Sequence, residues 1–505
     1  MTLKTMEHFF AKYREGIIGQ NEYIQTPHHD AIRIVYADWT ASARMYQPIE
    51  TRLLQDVLPY VANTHTDSNY TSSKMTYAYQ KAKDIIKAHV GASEDDLLIS
   101  SDAGMTGVMN KLQRILGFRV HESFSDKIVL KEEEKPVVFV THMEHHSNQT
   151  SWEETIADVV VVPPDEKGLV SVENFKKFVE LYAHRKVKIA SITSCSNVTG
   201  IFTPYMEIAT LMHQYDGLCF VDFATSAPYV DINMHEDDQK GSYLDAIFFS
   251  PHKFLGGPGT TGILVFNKKL YKNAIPDNVG GGIVKWSNPW GKHQFVKEIE
   301  AREDAGTPPF LQTIRVAMCT QLKEEMGVSN ILKREREILE IIWDSLKDIS
   351  NLHVLAGEHK NRLGVVSFYI DDLHYNLGVK ILNDRYGVQT RGGCSCAGTY
   401  GHYLLNISES QSEKITTKID QGDYSLKQGW IRLSIHPTQT NAEILFIMHA
   451  IRELAKNHHY WKHEYLVDYT TNKVSHINKQ AETTLKQNVN QYFNQTFSDD
   501  ILNYV

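Results

Sequence analysis

The chain has 505 residues, of which 42% are hydrophobic and 22% charged, with a formal net charge of −9. That length holds two or more domains with sizeable cores, and the composition is ordinary for a globular protein. The acidic excess argues against bulk nucleic-acid binding, no apolar run reaches the length of a membrane span, and five scattered cysteines do not make a disulfide framework.

The first residues, Met-Thr-Leu-Lys-Thr-Met-Glu-His, lack an apolar signal core, so the expected location is cytoplasmic. Residues 1–30 read as a polar arm, and 35–43 as a strand and turn opening a large domain over 31–315. Met75, Tyr79, Ala82, Ile85, Ile86 and His89 recur at helical spacing, which predicts an amphipathic helix over 74–90. Short apolar runs then alternate with helical stretches at 97–100, 137–140, 159–162, 189–192, 219–221, 247–249 and 263–266. The alternation predicts an α/β fold with a mostly parallel, seven-stranded sheet covered by helices. The charged run 324–347 reads as one long exposed helix leading into a smaller α+β domain over 316–460, with strands at 364–370 and 430–435. Residues 461–505 read as a polar tail carrying a surface helix or partly disordered.

Ligands of open α/β sheets bind beyond the carboxyl ends of the strands. There the sequence places Ser101-Asp-Ala-Gly-Met-Thr106, His142-Met-Glu-His-His146, Ser194-Cys-Ser-Asn197, Asp222 and Ser250-Pro-His-Lys253. A lysine at the mouth of a buried sheet suits Schiff-base chemistry, because desolvation keeps its neutral form accessible. A carboxylate such as Asp222, one strand-helix-strand unit upstream, suits the pyridinium nitrogen of pyridoxal phosphate. Singly, a solvated loop lysine and a helix-capping aspartate are the commoner readings. Five consecutive strand ends bearing reactive groups are far more specific. Gly257-Pro-Gly-Thr-Thr-Gly262 matches G-x-G-x-x-G but runs into a strand instead of opening a helix, so it is not a dinucleotide fingerprint. Cys394 and Cys396 lack a second ligand pair at metal-site spacing, so no metal is expected.

From about Tyr36 to Ala455 these motifs together resemble the class V aminotransferases, fold type I enzymes of pyridoxal phosphate, and within them the cysteine desulfurase-like branch. The resemblance implies that Gly104, Met105 and Thr106 bind phosphate at a helix amino terminus, joined by Ser250 and His252. It makes His145 the ring-stacking histidine, Asn197 the neighbour of the phenolic oxygen and of substrate, Asp222 the pyridinium partner and Lys253 the Schiff-base lysine. Thr307 matches a phosphate ligand contributed by the neighbouring subunit, which implies a homodimer with composite sites. Arg391, five residues before Cys396, and Arg432 match the substrate-side arginines, and Cys396 the catalytic cysteine. The Gly-Gly-Cys-Ser-Cys stretch looks flexible enough to present either thiol.

Three features depart from the family pattern. Thr225 stands where a glutamine is usual beside the cofactor, Asp38-Trp-Thr-Ala replaces the usual Asp-Asn-Ala-Ala, and the segment between Cys396 and Trp430 is long and polar. The implied activity moves sulfur from free cysteine to a protein cysteine persulfide with release of alanine, and implies a sulfur-acceptor protein as partner. The same fold also hosts aminotransferase, lyase and epimerase chemistry on other amino acids, with both cysteines structural.

Overall fold

The computed structural model describes residues 5–494 except 65, 67 and 126. The first described helix, α1 (Glu7–Glu15), buries Phe10 and Tyr13 in the larger hydrophobic core, so the amino-terminal segment is packed rather than wholly polar. Helix α2 (Tyr70–His89) buries Met75, Tyr79, Ala82 and Ile86, four of the six positions picked out by their spacing, with Ile85 and His89 half-buried. It starts earlier than predicted because the Asn69 side chain accepts a hydrogen bond from the Ser72 N–H and caps the first turn.

All of the predicted apolar runs become strands of one seven-stranded sheet. They are β1 (Asp96–Ser101), β2 (Val137–Thr141), β3 (Asp158–Val162), β4 (Lys188–Thr193), β5 (Leu218–Asp222), β6 (Ala246–Phe249) and β7 (Gly262–Asn267). Their spatial order is β1-β7-β6-β5-β4-β2-β3, and β7 alone runs antiparallel to its neighbours. Strands covered on both faces need apolar side chains in both directions, which is why they read as continuous runs. Val137 to Val140 and Ala246 to Phe249 are wholly buried, whereas the edge strand β3 is half-exposed. Two helices start directly beyond strand ends: α3 (Gly104–Ile115) after β1 and α4 (His146–Glu153) after β2.

The charged run 324–347 is not one exposed helix. It comprises the end of α5 (Phe310–Met326) and the whole of α6 (Val328–Leu346), which meet at Gly327 with φ +77°. Helix α6 exposes most of its charges, buries Arg334 and Glu335, and packs Ile338, Leu339, Ile342 and Leu346 into the second core with α7 (Asn441–Trp461), while Ile331 joins the larger core. The second core lies between these helices and an antiparallel sheet of β8 (Leu352–Val354), β9 (Val365–Ile370), β10 (Arg391–Gly393) and β11 (Trp430–Ser434), in the order β8-β9-β11-β10. Val35 and Ala37 also pack there, since strand Val35–Tyr36 pairs in parallel with Val388–Gln389.

The tail contains more structure than its polarity suggests. A hairpin, Tyr465–Asp468 with Lys473–His476, buries Tyr465 against the second core and packs Val474 beside it. Helix α8 (Gln480–Asn494) has no buried residue, as expected of a surface helix, and 495–505 lie outside the described residues. Among the described residues no helix is long and apolar enough to cross a membrane.

Candidate active site

The register of the large sheet sets its strand ends level. Asp222 lies opposite Thr193 on one side and Phe248 on the other, one residue before the segment Phe249-Ser-Pro-His-Lys253 begins. The ends open into a cavity of about 300 Å³. It is lined by Gly104, Met105, Thr106, His145, Asn197, Asp222, Thr225, Ser250, His252 and Lys253 from the large domain, and by Arg391 and Arg432 from the smaller sheet. Two of the sequence-derived site residues do not line it: Thr307 is exposed elsewhere, and Cys396 is half-buried beside Ser395, which does line it. Sequence reasoning missed Ser147, Thr193 and Ser395. Each sits within two residues of a named motif, so a wider window around the strand ends would have included them.

One end of the cavity is shaped for an anion. Ala103 and Gly104 are both left-handed, with φ 63° and 61°, and turn the chain into α3 so that its amino terminus faces the cavity. Ser250 Oγ accepts from the Met105 N–H at 2.9 Å, and a Cβ on Gly104 would come within 3.0 Å of that oxygen. The glycine pattern before β7 has a related cause: a Cβ on Gly262 would lie 2.0 Å from the Gly104 carbonyl oxygen. Gly262 is thus needed for the close approach of two backbones. Thr106 Oγ1 and Ser147 Oγ are 2.7 Å apart across the same end.

The middle of the cavity holds a buried carboxyl and amine. Burial pushes Lys253 down to about 8, aided by Arg432 and Arg391 and opposed by Asp222. Burial pushes Asp222 up to about 6, against the pull of the Ala224 N–H, which donates to its Oδ1 at 2.7 Å, and of Lys253. At neutral pH the carboxylate is therefore still charged, and part of the amine is neutral. Burial, then the nearby Lys253, push His145 down to about 3, so its ring is neutral. Its Nδ1 accepts from the Ser147 N–H at 3.1 Å, which leaves the ring proton on Nε2. Beneath it, the buried Glu144 accepts from Thr141 Oγ1 at 2.6 Å, Asn148 Nδ2 at 2.7 Å and the Thr193 N–H at 2.9 Å, which ties the histidine loop to β4. Burial pushes this carboxyl up to about 7.

At the other end, Arg391 and Arg432 are direct cross-strand partners on β10 and β11. Arg432 is buried and already paired: its Nη2 donates to Asp38 Oδ1 at 2.8 Å, and its Nη1 to the Asn197 carbonyl at 3.2 Å. Asp38 belongs to the Asp-Trp-Thr-Ala motif, whose Thr40 and Ala41 line the cavity while Trp39 stacks on His436. Arg391 is exposed and has no ion-pair partner among the described residues.

The cysteine stretch is held rather than loose. Ser395 and Cys396 are both left-handed, with φ 53° and 58°, and the Ala397 N–H closes the turn on the Cys394 carbonyl at 3.1 Å. That conformation costs roughly 1–2 kcal/mol per non-glycine residue. Three bonds from the large domain offset it at about 0.5–1.5 kcal/mol net each. Asn197 Nδ2 donates to the Ser395 carbonyl at 2.7 Å, the His146 N–H to the Cys396 carbonyl at 2.8 Å, and the Gly398 N–H to His146 Nε2 at 3.1 Å. Cys396 lies within the field of Arg432, whereas Cys394 packs into the apolar cluster of Trp430, Leu404 and Leu405.

Residues 35–446 match the family described as Aminotransferase class-V. The chain is 27% identical over 372 residues to a probable cysteine desulfurase of Halalkalibacterium halodurans, covering 72% of this chain and 84% of that relative. It is 24% identical over 406 residues to a cysteine desulfurase of Haloferax volcanii, covering 77% and 90%. Among solved structures, the apo cysteine desulfurase of Thermococcus onnurineus is similar with a TM-score of 0.70 at 21% identity, over 88% of this chain and 98% of that one. At that identity the likeness speaks for the fold.

Proposed function

We propose, from the premise that the chain belongs to the Aminotransferase class-V family, that it is a cytoplasmic cysteine desulfurase acting as a homodimer. The family depends on pyridoxal phosphate, and the chain is an enzyme of that kind, folded as fold type I. The cavity fits the cofactor. Asn197 Oδ1 is buried and has no hydrogen-bond partner, Asp222 is a buried carboxyl beside a buried amine, and the Gly104 backbone is tucked against Ser250 at a helix amino terminus.

Bound pyridoxal phosphate supplies an electron sink for bonds at an amino acid's α-carbon. Gly104, Met105, Thr106, Ser250 and His252 would hold its phosphate. The exposed position of Thr307, outside its own cavity, supports the reading that the partner subunit's Thr307 completes that cradle. Asp222 would hold a proton on the ring nitrogen, the neutral His145 would cover the ring face, and Asn197 and Thr225 would approach the phenolic oxygen. Lys253, with its amine brought down to about 8, can take a proton from the substrate α-carbon and return it near neutral pH. Arg391 would bind the substrate carboxylate, while Arg432, committed to Asp38, braces that wall.

The observation that favours sulfur transfer over plain transamination is the cysteine turn, held by Asn197 and His146 at the rim of the cavity beside Arg432. The nucleophilic form of a cysteine is the thiolate. The Cys396 thiolate would take the substrate sulfur, forming a sulfur–sulfur bond as the carbon–sulfur bond breaks. The remaining carbon skeleton takes up a proton and leaves as alanine, and the persulfide passes its outer sulfur to an acceptor thiol. The test is to incubate the holoenzyme with a panel of amino acids and assay alanine, sulfide, pyruvate and keto acids together. Alanine from cysteine is expected. Keto acid or pyruvate from another amino acid, with no alanine from cysteine, would replace this reading with an aminotransferase or lyase.

A further inference from the structure

We propose that His146 is the positioning residue of the Cys396 turn, gripping it through both backbone and side chain. The first N–H groups of a helix have no partner within it. In α4 they are used unequally. The Ser147 N–H is capped by His145 Nδ1 at 3.1 Å, while the His146 N–H reaches across to the Cys396 carbonyl at 2.8 Å. The His146 ring extends the same reach, its Nε2 accepting from the Gly398 N–H at 3.1 Å. One turn on, Gln149 Oε1 accepts from Thr399 Oγ1 at 2.8 Å. The opening turn of α4 therefore engages the chain at 396, 398 and 399, on both sides of the thiol-bearing residue and its unfavourable left-handed backbone.

The two consecutive histidines divide the work. His145 lines the cavity, whereas His146 does not and touches no reacting group. Because His146 Nε2 accepts, its ring proton sits on Nδ1 and the ring is neutral, consistent with burial lowering its pKa. Loss of the ring nitrogen removes the hold on Gly398, the bond directly after the thiol-bearing residue, and leaves the bonds at Ser395, Cys396 and Thr399, so the turn loosens from its left-handed form. Cofactor and substrate contacts remain. The consequence for catalysis rests on the desulfurase reading, but the grip itself does not.

The test compares wild-type, His146→Ala and His146→Gln holoenzymes. Cys396 and Cys394 are alkylated with iodoacetamide and followed separately by peptide mass spectrometry. His146→Ala is expected to change the alkylation rate of Cys396 at least fivefold and that of Cys394 less than twofold. His146→Gln, whose amide oxygen reaches the position of Nε2 and can accept from Gly398, should fall back towards the wild-type rate. In turnover, His146→Ala should lower kcat for alanine formation about tenfold, with KM for cysteine and the cofactor absorbance unchanged. His146→Phe keeps the ring volume without the acceptor, and it replaces the alanine variant if that one does not fold. Wild-type alkylation of Cys396 in a folded His146→Ala or His146→Phe protein, or equal effects of alanine and glutamine, would overturn the proposal. A wild-type enzyme that makes no alanine removes the desulfurase reading and leaves the alkylation result to decide the grip.

Discussion

Replacing Arg391 with glutamine probes how the cavity divides charge between its two arginines. They face each other across β10 and β11, and Asp38, 2.8 Å from Arg432, neutralises only one of them. Arg391 is then the guanidinium left to meet a substrate carboxylate. A bidentate contact comprises two charge-assisted bonds of about 1.5–3 kcal/mol each. Arg391 is exposed, so the lower end applies, about 3 kcal/mol in all, or roughly a hundredfold in Kd. The assay titrates cysteine against the cofactor absorbance in a Cys396→Ser background, which keeps chemistry from obscuring binding. The expected result is about a hundredfold weaker binding in Arg391→Gln, with cofactor content unchanged. A Kd within threefold of the parent in a folded holoenzyme would refute the assignment of the carboxylate to Arg391.

The Lys253 amine, brought down to about 8 by burial, must be neutral to attack the cofactor aldehyde. Reconstitution of the apoenzyme with pyridoxal phosphate should therefore quicken as pH rises from 6 and level off above about 8; a flat rate over that range contradicts the assignment. Glu335, buried in α6 with Oε2 unpartnered, is raised by burial from 4.5 to about 8. Because the folded value lies above the unfolded one, its stabilising neutral form is fully present below about 4.5 and is lost as pH climbs through 8. Glu335→Gln should thus raise Tm more at pH 9 than at pH 5, and an equal change at both would show that the carboxyl does not titrate as argued. For the composite site, mixing inactive Lys253→Ala and Thr307→Ala subunits should recover activity through hybrid dimers. Mixtures no more active than their components, or an active monomer in sedimentation, would count against a shared cradle.

What could be read from the sequence follows from how far each cause reaches along the chain. The sheet was legible because strands buried on both faces show as unbroken apolar runs. Asp222 and Lys253 stood out as members of a set, because five consecutive strand ends bearing reactive groups are hard to get from loop composition alone. The inward face of α6 was hidden by the charges around it, two of which, Arg334 and Glu335, are themselves buried, and the tail hairpin by the polar residues around Tyr465 and Val474. Thr307 and Cys396 were named from the family pattern but do not line the cavity of their own chain. The pairing of Asp38 with Arg432 joins residues 394 positions apart, which no local window reveals. The turn at Ser395 and Cys396 was misjudged as flexible for a related reason. Its neighbouring glycines suggest freedom, while the bonds that hold it come from Asn197 and His146 in another domain.

The central claim is that Cys396 receives sulfur from cysteine, and its most direct measurement is mass spectrometry of the holoenzyme after a single turnover with 34S-labelled cysteine. Thiols are trapped by alkylation, and alanine is quantified in the same sample. The account predicts one labelled sulfur on the peptide bearing Cys396 in proportion to alanine formed, localised by fragmentation to Cys396, and no label on that peptide in Cys396→Ser. Alanine formed without label on the wild-type peptide, or label and turnover persisting undiminished in Cys396→Ser, would contradict it.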